Sequence, residues 1–212
     1  VAEAGVDLSQ AEALTRVLNE AERPLILIGG GGWKGAGKSA LQRFAEFNNF
    51  PVSAIFRYHD LIDNNSPVYV GDAGVGMAVH LAEMIKNSDV ILAVNARLGE
   101  AATQSWSLLE APYARQKLIH VHASDQEIGK IYQPHLSFHA NPNQFAEFLE
   151  GLQISVKNLH LRKSWMAKGH ADYLTSLIAP PQNSPVDMSA VMKVLQERLE
   201  QNAILTNGAG NF

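Results

Sequence analysis

The sequence predicts an α/β fold, a Rossmann-like parallel sheet of about five to six strands with helices on both faces. Three observations predict it. Short apolar runs alternate with longer amphipathic stretches along the first 152 residues, the order that gives parallel strands joined by right-handed helical crossovers. Two of these runs, Leu25–Ile28 and Val90–Val94, are apolar at every position, as strands covered on both faces should be. The first run leads directly into Gly29–Gly32, a strand-to-helix turn in which glycine supplies left-handed backbone and close approach.

Each element follows from its local pattern. Ser9 is placed to cap a helix running to about Ala21, with Glu12 at the third helical position to complete a capping box. Strand one is Leu25–Ile28. The next helix runs from about Lys38 to Asn48, with Leu41, Phe44, Ala45 and Phe47 as its apolar face. Val52–Phe56 is strand two. Gly71–Gly76 reads as a glycine-punctuated loop before a helix over Met77–Lys86. Val90–Val94 is strand three, Leu118–Val121 strand four, and Leu136–His139 a short strand five. Asn143–Leu152 is a helix with Phe145, Phe148 and Leu149 inward.

After Gly151 the texture changes. Residues 155–178 look helical but weakly amphipathic, and Pro180–Asp187 is a proline-rich boundary. A helix over Met188–Gln201 and a strand over Ala203–Thr206 then open a second α/β unit. The expected organisation is a domain over 1–152, a helical linker over 153–187, and the first helix and strand of another domain over 188–212. The chain starts at Val1 and stops at Phe212, just after that strand and a glycine turn, so it is expected to be a piece of a longer protein.

Composition bounds the function. The chain has 212 residues, 46% hydrophobic and 18% charged, ordinary for a globular protein. Its net charge of −4 comes without a basic block, which argues against nucleic-acid partners and anionic membrane surfaces. There is no cysteine, which removes disulfides, thiolate metal sites and cysteine catalysis. No apolar run approaches the ~18 residues of a membrane span, and no signal peptide is visible. A cytoplasmic location is expected.

Residues 24–39, PLILIGGGGWKGAGKS, match two phosphate-binding patterns. Gly32, Gly37, Lys38 and Ser39 have P-loop spacing, in which backbone N–H groups wrap the phosphates and Lys and Ser reach the outer phosphate and Mg²⁺. In that motif the first glycine follows the strand almost directly, whereas here three glycines separate Ile28 from Gly32. The metal-holding acid expected at a strand tip is Asn95 after Val90–Val94. Gly30, Gly32 and Gly35 have dinucleotide spacing, which calls for an acid at the tip of strand two to hold a ribose. Arg57-Tyr58-His59 stands there, with Asp60 late. A stand-alone P-loop-type nucleotide-binding protein remains the alternative reading.

The order of segments is more specific than any one motif. RPLILIGGGG, FPVSAIF, SPVYVGDAGVG, NSDVILAVNARLGE, LIHVHASDQEIGK and NQFAEFLEGL follow one another. In that order the chain resembles the central domain of the thiamine-diphosphate (ThDP) enzymes of the acetolactate synthase and 2-keto acid decarboxylase family. The resemblance covers about 23–152. It resumes at Ala190–Phe212, which is similar to the start of that family's C-terminal domain.

The resemblance implies a three-domain parent, a transferase or lyase that condenses or decarboxylates 2-keto acids with ThDP and Mg²⁺. The N- and C-terminal domains of the same polypeptide would be its partners, in a homodimer or tetramer. The family's cofactor-activating glutamate and its GDG…N metal motif belong to those domains, so no catalytic residue and no metal ligand is expected here, and the fragment alone is expected to be silent. Several members bind FAD or ADP in this domain. Carried over, the contacts are Gly30, Gly31, Gly74, Asn95, Ala96 and Arg97. Asn207, Gly208 and Gly210 correspond to a loop near the ThDP diphosphate. The sequence departs from the family at several of these points. Asn95 stands where the family usually has Gly, Asn207 where it has Asp, Ala140-Asn141 where it has Gly-Asp, and His120 to Asp125 cover its I-D-x-D turn.

Other residues have plainer readings. His120 and His122 share one strand face and are expected to pack or hydrogen-bond at the strand end. Trp33, Trp106 and Trp165 follow no aromatic stripe and read as core or contact residues. Lys38 reads as a solvated residue of a helix's first turn.

Overall fold

A computed structural model describes residues 6, 8–180, 182, 185–200 and 202–206. It divides into two units, residues 1–175 and 176–212.

The first unit is built on a six-stranded sheet, every pairing parallel, in the order β3-β2-β1-β4-β5-β6. The strands are β1 (Pro24–Ile28), β2 (Val52–Ile55), β3 (Tyr69–Ala73), β4 (Val90–Val94), β5 (Lys117–His122) and β6 (Leu136–His139). The helices are α1 (Leu8–Glu20), α2 (Gly35–Asn48), α3 (Val79–Asn87), α4 (Pro142–Glu150) and α5 (Leu159–Ser176). Every residue of β1 and β4 is buried, and alternation decides which way each points. Ile26, Ile28, Leu92 and Val94 face a core shared with Leu14 and Leu18 of α1, Phe44 of α2 and Phe145 of α4. Leu25, Leu27, Ile91 and Ala93 face the other core, with Leu81 and Ile85 of α3 and the loop residues Leu98, Leu108 and Tyr132. The expected architecture is therefore the observed one.

Several local expectations are corrected. Gly71–Ala73, read as the start of a loop, belong to the edge strand β3. Its pairing with β2 shifts register between Val52 and Ala54, and Gly71 takes φ 109° there. Glycine in a strand marks such an irregularity, and it disguised the strand as a turn. Helix α1 begins at Leu8, so Ser9 lies inside its first turn rather than ahead of it. Phe47 is 85% exposed. The buried stripe of α2 runs through Gly37, Ala40, Leu41, Phe44, Ala45 and Asn48, and Asn48 turns its Nδ2 back onto Phe44 O at 2.9 Å. Phe148 is half-buried, against the core that Phe145 and Leu149 complete.

Helix α5 owes its place to polar contacts, having little amphipathic pattern of its own. Arg162, fully buried, donates from Nη2 to Leu18 O at 2.5 Å and Ala21 O at 2.6 Å, and from Nε to Ala21 O at 3.0 Å. It thereby satisfies carbonyls at and just past the end of α1, a position that also suits a cation by the helix dipole. Its guanidinium lies 4.5 Å from the Phe50 ring centroid. Trp165 Nε1 donates to Pro24 O at 2.8 Å, and a His170 ring nitrogen bonds Tyr69 O at 2.8 Å. Pro24 and Tyr69 open their strands, so α5 seals the amino-terminal edge of the sheet, opposite the edge where ligands sit in such folds.

In the second unit, α6 (Met188–Arg198) is capped by Asp187, whose Oδ1 accepts from Ser189 N at 3.0 Å. Ala203–Thr206, expected as a strand, forms no regular element. A strand exists by pairing, and none of the described strand pairings includes these residues.

Candidate functional site

The sheet order reverses between β1 and β4. Both strands run the same way, so Gly29–Gly31 and Asn95–Arg97 leave their carboxyl ends side by side, the general place for a ligand in an open α/β sheet. A cavity of about 280 Å³ opens there, lined by Gly30, Gly31, Ile55, Tyr58, Asn95, Arg97 and His122. Four of the residues named from the sequence thus meet in one crevice. Ala96 lies fully buried beside it, its carbonyl bonded to His120 Nε2 at 3.2 Å. Gly74 lines a separate depression with Met77 and the 100–105 loop. Asn207, Gly208 and Gly210 lie outside the described residues.

Asn95 dominates the geometry. Its backbone is left-handed, φ 54°, a conformation asparagine tolerates better than most residues. Its Nδ2 donates to Gly31 O at 2.9 Å and Gly29 O at 3.3 Å, and its Oδ1 accepts from Ala123 N at 3.4 Å. One amide therefore ties together the loops after β1, β4 and β5. A side chain at Gly30, itself at φ 67°, would meet Asn95 Nδ2 and lie 2.5 Å from Asn95 O. The rest of the glycine loop is held similarly. Trp33 Nε1 donates to Gly29 O at 2.8 Å. Asn143 Nδ2 donates to Gly32 O at 2.9 Å, and its Oδ1 accepts from Lys34 N at 2.7 Å.

The electrostatics are largely internal. Arg97 Nη2 lies 3.1 Å from Glu127 Oε1, and Lys130 Nζ lies 3.2 Å from the same oxygen. Burial works to raise the Glu127 carboxyl, but Lys130, Arg97 and His122 hold it below the usual carboxylate range. His122 Nδ1 accepts from Ser124 N at 3.0 Å, and burial lowers its imidazole. His120, 3% exposed, is pushed by burial down to about 4, and its Nδ1 finds no hydrogen-bond partner among the described residues. No group of three or more metal-ligating side chains occurs among the described residues.

The P-loop arrangement is not built. Gly37 and Lys38 lie within α2, which begins at Gly35. Gly37 lets α4 approach, since a side chain there would sit 2.8 Å from Asn143 Cα. Lys38 Nζ pairs with Asp60 Oδ2 at 2.8 Å. Of the neighbouring tip residues, Tyr58 enters the crevice, while His59 Nε2 lies 3.3 Å from Asp72 Oδ2.

Sequence reasoning missed two residues of the braced loop and assigned no ligand role to Ile55, Tyr58 and His122 of the crevice wall. Trp33 carried no signal beyond its place in a glycine run. Asn143 follows Asn141-Pro142, a recognisable helix start, but nothing local shows that its amide spans to Gly32. Tyr58 stood at a strand tip without pattern to single it out.

The sequence profile of the family described as "Thiamine pyrophosphate enzyme, central domain" matches residues 11–152. Acetolactate synthase 1, chloroplastic, of Zea mays is 26% identical over 205 residues, covering 94% of this chain and 31% of its own length. The acetolactate synthase large subunit of Corynebacterium glutamicum is 26% identical over 209 residues, 95% of this chain and 32% of its own. A probable acetolactate synthase 2, chloroplastic, of Oryza sativa subsp. japonica is 29% identical over 130 residues, 61% of this chain and 19% of its own. The chain spans about a third of the length of the first two. Among the described residues, no helix is long and apolar enough to cross a membrane.

Proposed function

This chain belongs to the thiamine pyrophosphate enzymes, whose central domain it carries over residues 11–152, and from that premise we propose that it is the scaffolding part of an acetolactate synthase-like enzyme acting on 2-keto acids. The observation that carries the reading is the coincidence of the family match with a complete six-stranded parallel sheet over the same residues. Such a domain holds its neighbours in register through a rigid core, and its own chemistry is not required for turnover.

On this reading residues 1–152 form the central domain, 153–187 the linker and 188–212 the opening of the C-terminal domain. ThDP and Mg²⁺ bind in the parent between the other domains, with Asn207, Gly208 and Gly210 approaching the diphosphate. The parent works in the cytoplasm as a homodimer or tetramer.

FAD or ADP is the group the family implies for the crevice at Gly30, Gly31, Asn95, Ala96 and Arg97. The residues present do not fit it. The Cβ position of Gly30 is taken by Asn95, whose amide is bonded to the carbonyls of Gly29 and Gly31 and so closes the glycine loop on itself.

The test is turnover. Given pyruvate, ThDP and Mg²⁺, this chain alone forms no product, while the full-length parent polypeptide consumes a 2-keto acid only when ThDP is present. Turnover by the isolated chain would remove the scaffolding assignment. A parent indifferent to ThDP would remove the enzyme reading itself.

A further inference from the structure

We infer that Asn95 is a built-in latch that takes the place of a bound nucleotide diphosphate at the switch-point crevice, holding the glycine loop closed and excluding ADP and FAD. The inference rests on the central-domain reading for what the crevice would otherwise hold, and on geometry for the rest.

Glycines at such a turn leave room for a pyrophosphate to approach the backbone. Here the Cβ position of Gly30 is taken by Asn95, whose amide lies between the loops after β1 and β4. Both donors of that amide are engaged, by Gly29 O and Gly31 O, and Oδ1 accepts from Ala123 N. A nucleotide would have to break these bonds and move a side chain that is 4% exposed. A dinucleotide joins the strand-tip loops from outside, and Asn95 joins three of them from inside. The cation of the crevice, Arg97, has its Nη2 turned to Glu127. Asn143 reinforces the arrangement by accepting from Lys34 N, one of the N–H groups at the start of α2 that would otherwise face an anion.

The test is ADP and FAD binding by this chain and two variants, read by equilibrium dialysis and by the thermal midpoint. Asn95→Gly suits the left-handed backbone and removes the side chain from the crevice wall. Asn95→Ala removes the amide while keeping a side chain. The wild-type chain shows no midpoint shift with either nucleotide, and the variants bind ADP at least about ten-fold more tightly than wild type, a difference of about 1.4 kcal/mol. A midpoint shift of the wild-type chain with ADP or FAD overturns the latch and leaves the family reading intact. Folded variants as indifferent to ADP as wild type overturn it equally.

Discussion

Lowering the pH from about 7 to about 5 should destabilise the chain through His120, by an amount the structure sets. The imidazole is buried, its Nε2–H is committed to Ala96 O, and its bare Nδ1 has no described acceptor to meet a proton. Burial is the first cause of its low value of about 4, with a smaller push from His122 and opposition from the Ala96 hydrogen bond and Glu127. The unfolded chain takes its proton near 6.5. Above that value both states are neutral and the group contributes nothing. Below it the unfolded state binds the proton first, so stability falls as pH falls, by about 1.4 kcal/mol per unit, until the folded value is reached. Between about pH 7 and about pH 5 the loss works out at about 2 kcal/mol. In a chain of this size that lowers the midpoint by about 4–8 °C.

The assay is urea unfolding at both pH values for wild type and His120→Gln, whose amide keeps a donor toward Ala96 O but does not titrate. Depressed carboxylates such as Glu127 also lose their stabilisation in acid, but they do so in both proteins. The wild-type chain should lose about 2 kcal/mol more than the variant. Parallel losses in the two proteins would refute the reasoning, as would an NMR titration placing His120 near its ordinary value.

Three further predictions concern packing. Arg162→Met should cost about 3–5 kcal/mol, because it strands the buried carbonyls of Leu18 and Ala21 as well as removing charge-assisted bonds. A urea midpoint within about 1 kcal/mol of wild type would show that α5 is held by other contacts. Gly37→Ala should destabilise by about 1–3 kcal/mol through collision with Asn143, whereas Gly31→Ala, with open space and no positive φ, should be neutral or slightly stabilising; equal effects would mean that α2 and α4 can part freely. Phe47→Gln should change stability by less than about 0.5 kcal/mol while Phe44→Ala costs about 3–5, and thermal unfolding of the pair separates the two faces of α2.

Much of the fold was legible because its information is local. Strands β1 and β4 announce themselves by unbroken apolar runs, and β6 falls on the residues its pattern marked. Edge strand β3 was hidden because Gly71 and Asp72 read as a turn, and an edge strand can accommodate the irregular register they bring. Phe47 was misplaced because an aromatic three residues from Phe44 looks like a continuing stripe, and only the packed neighbour shows that Asn48 holds that row instead.

The amino-acid sequence alone determined the layers, the position of the glycine turn and the order of segments by which the family is recognised. These depend on hydrophobic period and on residues near one another in the chain. Tertiary structure decided the state of the crevice. Asn95 reaches Gly29 across 66 residues and Arg162 reaches Ala21 across 141. No local pattern encodes such a bond, because a side chain's hydrogen-bonding partner is chosen by where folding brings a free carbonyl, and only the folded chain brings it there.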